Sequence, residues 1–152
     1  MPWPDAPSNI IWPPFAYVPG VTARHAEDRF DGIKASVTAD MPAADLHHTS
    51  AFTTGLAYLD AGYFWECHEV LEAVWMQTAD PSCERDMVQA LIQLANARLK
   101  LRMGKPRAAR RLCDMVSGHL ARCEGRGAVL GLGVNDVLMR LNVTRDEGFF
   151  AL

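Results

Sequence analysis

No stretch of this 152-residue chain approaches the ~18 uncharged apolar residues needed to span a bilayer. Its opening, Met1-Pro2-Trp3-Pro4-Asp5, has neither the basic segment nor the apolar core of a secretory leader. Cys-x-x-Cys pairs are also missing. Cys67, Cys83, Cys113 and Cys123 stand 16, 30 and 10 residues apart, so a zinc ribbon or a thioredoxin-type redox motif lacks its spacing. Without an export signal the thiols read as reduced, with Cys67 and Cys113 packed as small hydrophobes, and the expected location is the cytoplasm. No segment alternates apolar and polar residues as a half-buried strand does. Disorder is excluded by four Trp, six Phe and a 49% hydrophobic content beside only 22% charged residues.

Aromatic residues are absent from positions 98–126, where positive charge is concentrated. That segment carries nine basic side chains against Asp114 and Glu124, net +7, whereas residues 1–97 are net −9. Such a dipole could steer a small anionic ligand or join subunits of a homo-oligomer. Equally, it is what a solvated helix face looks like. A nucleic-acid partner is not expected, since the whole chain is acidic at net −3 and no aromatics interleave the basic run.

Six of the nine prolines fall in the first 20 residues, among Trp3, Ile10, Ile11, Trp12, Phe15, Tyr17 and Val18. Proline removes the helical donors, while the aromatics are too apolar for a free tail. Residues 1–21 are therefore read as an extended arm packed on the domain or on a partner subunit, and residues 22–152 as a single helical domain. Ala26, Phe30, Ile33 and Val37 recur at helical spacing. Asp40 caps a second helix with Pro42 in its first turn, running to Gly62. Further helices are expected over about 63–77 and 82–103 and from Pro106 to the stop at Gly125, with a short last one near 135–141. The glycine-rich residues 125–133 lack the strand and lysine of a phosphate loop and read as a linker. Leu59-x-x-Gly62 and Leu101-x-x-Gly104 each introduce a helical hairpin. The fold class is all-α, a compact bundle of about five to six helices built from two such hairpins.

Chemistry concentrates on the helix after Gly62. At ~100° per residue, Tyr63, Phe64, Cys67, Val70, Leu71, Val74 and Trp75 form one apolar face. Glu66 and Glu69 then point to solvent, and His68 sits at the border with Glu72 one turn on. A carboxylate at i+4 can fix the tautomer of an imidazole and favour its charged form. Gln89 and Gln93 on the next helix could face this pair, because an amide offers both donor and acceptor. The sequence His68-Glu69-Val70-Leu71-Glu72 is HExxE, so the second histidine of a zinc-protease helix is missing. A divalent metal on His68 and Glu72 would need a third ligand from His25, His47 or His48.

The segment resembles a bacterial and archaeal family known as domain of unknown function 309. The resemblance rests on Gly62, Tyr63, His68-Glu69, Glu72 and Trp75, followed by Leu91-Ile92-Gln93 with Gln89 a turn earlier. Gly104-Lys105-Pro106-Arg107-Ala108-Ala109 fits the family's hairpin. It covers about residues 50–120. Tyr17 through His25 resembles the leader of some members, with Ala23 and Ala26 where proline is expected. The resemblance implies a small helical fold and no particular reaction.

Two functions follow from these residues. In the first, a structural or binding module, the polar cluster sets helix register. In the second, a small-molecule or metal-dependent enzyme, His68 is acid, base or ligand and Glu72 orients it. Gln89, Gln93 and Trp75 would then contact the ligand, and the leader would bring Arg24 and His25, Arg24 being suited to a carboxylate or phosphate.

Overall fold

A computed structural model of the chain describes residues 3–151; Met1 and Pro2 of the arm and Leu152 of the domain lie outside the described residues. Seven helices follow one another among the described residues: α1 (Asp31–Lys34), α2 (Ala43–Leu46), α3 (Ser50–Ala61), α4 (Phe64–Trp75), α5 (Cys83–Arg102), α6 (Pro106–Ala121) and α7 (Val134–Ala151). The hairpins α3–α4 and α5–α6 form the bundle, and α7 lies against α5 and α6. None of these helices is long and apolar enough to cross a membrane.

Local chemistry sets the boundaries. Thr49 caps α3, its hydroxyl accepting from the N–H of Phe52 and donating to the carbonyl of Leu46. This hydroxyl divides the single helix expected from Pro42 into α2 and α3. Gly62, at φ 90°, closes α3 with its N–H on the Tyr58 carbonyl. Ser82 caps α5 by accepting from Arg85 N–H. Pro106 occupies the first turn of α6, where its missing N–H costs nothing.

The core lies along α5, where Met87, Val88, Leu91, Leu94 and Ala95 are fully enclosed. Cys67, Val70, Leu71 and Val74 of α4 meet it from one side, and Val116 and Leu120 of α6 belong to the same cluster. Cys67 and Cys113 are buried as small hydrophobes, and burial pushes both thiols up from their ordinary range.

Three local expectations are corrected. The stripe from Ala26 to Val37 yields only the one-turn α1, although Phe30 and Ile33 are buried as the spacing implied. Ahead of α1 the His25 side chain turns inward to a buried partner on α4, while Ala26, Glu27, Asp28 and Arg29 stay exposed. The glycine-rich stretch is not only a linker: Ala128–Val129 (β1) and Leu132–Gly133 (β2) pair antiparallel about Leu130 and Gly131, both at positive φ. Two-residue strands carry no period to detect. The left-handed conformation of Leu130 is offset by burial of its side chain. Finally, α7 continues well past Leu141, since no proline or glycine intervenes before Gly148 and Thr144 faces inward.

Candidate functional site

The most enclosed charged side chain of the described residues is Glu66 on α4, 0% exposed. Its Oε2 accepts the backbone N–H of Tyr17 at 2.7 Å and lies 2.6 Å from Nε2 of His25, whose side chain is 2% exposed. Both partners come from the N-terminal segment, which crosses the face of α4 that helical periodicity assigns to solvent. The expectation that Glu66 points outward is thus overturned: the arm, not water, covers that face. Glu69 pairs with Lys34 of α1 at 2.9 Å.

Rings wall the pair in. Phe15 stacks on His25 at 4.8 Å between centroids, Phe30 meets it edge-on at 5.5 Å, and Tyr17 sits edge-on to Trp65 at 5.0 Å. Tyr58 on α3 donates its hydroxyl to the Ile11 carbonyl, and Trp12 packs beside it. Burial, with the Glu66 charge adding to it, pushes the Tyr58 phenol up to about 12, so it stays a neutral donor at physiological pH. Glu66 Oε1 has no hydrogen-bond partner among the described residues. A carboxylate enclosed with donors on one oxygen holds those donors strongly, because removing it strands them away from water.

The pair singled out from spacing does form. His68 Nε2 lies 3.4 Å from Glu72 Oε2, with side chains 34% and 52% exposed. The two glutamines do not join it. Gln93 accepts from the Asn96 amide at 3.2 Å, and Gln89 lines a cleft of about 400 Å3 with Trp75, Arg85, Asp86 and His119. The α4–α5 seam, where the four-membered network was expected, is filled by Cys67, Val70, Leu71 and Val74 against Leu91 and Leu94. Arg24 is exposed, and Trp75 carries the Arg85 guanidinium 3.9 Å above its ring. His25 is committed to Glu66 rather than to His68 and Glu72, and no three His, Cys, Asp or Glu among the described residues are grouped to hold a metal. His47, which with His48 was also considered as a ligand, has its pKa lowered by burial and by the neighbouring His48.

A half-exposed pair contributes little. The variant His68→Ala is expected to change stability by less than about 1 kcal/mol, as read by urea denaturation. A loss of several kcal/mol would restore the pair to an architectural role.

Sequence reasoning missed one further cluster. His119 Nδ1 lies 2.8 Å from Asp86 Oδ1, which also accepts from Nε of Arg122 at 3.0 Å. Burial alone would raise the Asp86 carboxyl, but the hydrogen bonds from His119 and Arg122 outweigh it and hold its pKa below the ordinary value. Asp86 and His119 are 33 positions apart on different helices, so no local motif signals them. The arrangement orients an imidazole beside the Trp75–Gln89 cleft, and among the described residues that line this cleft none carries a hydroxyl or thiol.

Residues 52–112 match the model of the family described as Domain of unknown function (DUF309). The matched segment runs from α3 into α6 and contains Glu66, His68, Glu72, Gln89 and Gln93. Tyr17 and His25, the partners of Glu66, lie outside it. No curated protein and no solved structure matches the chain.

Proposed function

We propose that a chain built around this domain serves as a non-catalytic helical binding module whose N-terminal arm is an integral wall. The observation that carries this reading is Glu66, fully enclosed, with both of its donors supplied by the segment 17–25. The architectural polar cluster is therefore the His25–Glu66 pair instead of His68 and Glu72. Trp3 fastens the start of the arm to α7, its ring 3.5 Å beneath the Arg140 guanidinium. The four free thiols suit a reducing compartment, the cytoplasm. Ile11 and Trp12 leave an apolar strip on the arm, which supports association with a second copy.

Native-state hydrogen exchange tests the reading. The Tyr17 amide is expected to exchange as slowly as the amides of Leu91 and Leu94 in the core, since it opens only when the arm is released. Exchange at the rate of an exposed loop amide would show the arm detaching freely, and the reading would fail.

The alternative is a small-molecule enzyme with His68 as acid or base and Glu72 as its orienting group. Its support is the 3.4 Å contact between accessible side chains.

A further inference from the structure

A second groove lies at the α3–α4 corner, bounded by α5 and α7. It encloses about 570 Å3, within the range that admits small ligands. Three guanidiniums stand around it. Arg140 is paired bidentately with Asp60 at 2.9 Å, and Arg98 bonds Glu147 and the Thr144 hydroxyl. Arg102 differs. It donates to a neutral group, the Gly62 carbonyl, at 2.6 Å, and its guanidinium stacks 4.3 Å over the ring of Phe64. No carboxylate bonds to it among the described residues. The Arg98 charge beside it adds to burial in lowering its pKa, with Glu66 opposing, so an incoming anion relieves a like-charge contact. The rest of the lining includes apolar residues: the buried Leu59, Phe64 and Leu94 form part of its floor, and Met139 and Val143 stand 66% and 54% exposed on α7.

We infer that this groove binds a medium-chain aliphatic monocarboxylate, the carboxylate on Arg102 and the chain along the exposed Met139 and Val143 of α7. A planar guanidinium with free donors matches a carboxylate in geometry. With Arg98 and Arg140 already tied to acids, the site offers one guanidinium without a carboxylate partner among the described residues, which suits a monoanion better than a phosphate dianion. The exposed methionine and valine gain burial only from a ligand with an apolar tail. Trp3 of the arm stacks on Arg140 at the groove, but Arg102 belongs to α5 and Met139 and Val143 to α7, so the inference does not rest on the role given to Glu66 and the segment 17–25.

Calorimetric titration of the full chain with octanoate, octan-1-ol and acetate tests it. Octanoate should bind saturably at one site, with the alcohol and acetate each about tenfold weaker or more. Its amide shift changes should fall on residues 60–64, 94–102 and 139–143. Arg102→Gln should weaken octanoate by about tenfold and leave octanol unchanged. Should that variant fail to fold, Met139→Gln on the exposed face of α7 carries the test, with octanoate expected about threefold weaker. The inference is overturned if octanoate does not saturate, if octanol binds equally well, or if the folded variants bind octanoate unchanged. It is likewise overturned if inorganic phosphate or a peptide with a free C-terminus displaces octanoate at lower concentration than octanoate itself requires.

Discussion

Glu66→Ala is expected to lower the melting temperature by roughly 10 °C. Removing one member of a buried polar pair costs about 3 kcal/mol or more, because its partner stays desolvated. Here two partners are stranded, the Tyr17 N–H and the His25 ring, the latter 2% exposed. In a domain of this size each kcal/mol shifts the melting temperature by about 2–4 °C. Glu66→Gln retains one acceptor oxygen and should lose about half as much. In the alanine variant the segment 17–25 should become the first site of proteolytic cleavage, since nothing else polar fastens it to α4 at that point. A melting temperature within about 2 °C of the unaltered chain would mean that the stacked rings alone hold the arm, and Glu66 would lose its assigned role.

The same residue marks where legibility in the sequence ended. Helical period placed Phe64, Cys67, Val70, Leu71 and Val74 in the core, and they are buried. The hairpin signals Gly62 and Gly104 sit at positive φ at their helix ends. These are local properties, decided within a turn or two. Glu66 was assigned to solvent because a helical wheel knows one helix and not what covers its far side. The clue lay elsewhere, in an arm too apolar to be free. Trp12 and Tyr17 require a surface, and Tyr58 of α3 and Trp65 of α4 supply it. His68 and Glu72 were found as a pair because i and i+4 is a local relation. Their expected partners across the hairpin were not, since the register of α4 on α5 is set by which apolar side chains interlock. Asp86 with His119, and Arg102 over Phe64, belong to the same class of contact: separations of 33 and 38 positions that only the packed fold brings together.

That packed register has its own determinant in Gly55, and a pair of substitutions there should reveal it. Gly55 lies in the middle of α3, where alanine would ordinarily gain about 1 kcal/mol of helix propensity. A Cβ at this position would sit 2.5 Å from Cδ2 and 2.6 Å from Cγ of Leu71, a fully buried side chain on α4. Carbon atoms pack at ~3.5–4.0 Å, and Cγ cannot be swung aside without moving the whole side chain. Gly55→Ala is therefore expected to destabilise by about 2 kcal/mol despite the propensity gain. Leu71→Ala alone should cost about 3 kcal/mol through the cavity it leaves. In the double variant the new methyl group occupies part of that cavity and the clash is gone. Its loss should be about that of Leu71→Ala or less, a coupling near 2 kcal/mol in a urea-denaturation cycle. Simple additivity would mean that α3 and α4 adjust freely, and the close approach would not be what fixes Tyr58 on one helix relative to Glu66 on the other. If the coupling holds, Gly55→Ala should also speed exchange of the Tyr17 amide. The arm is anchored to both helices, through the Ile11 carbonyl on Tyr58 and the Tyr17 N–H on Glu66, and spreading them strains both attachments at once.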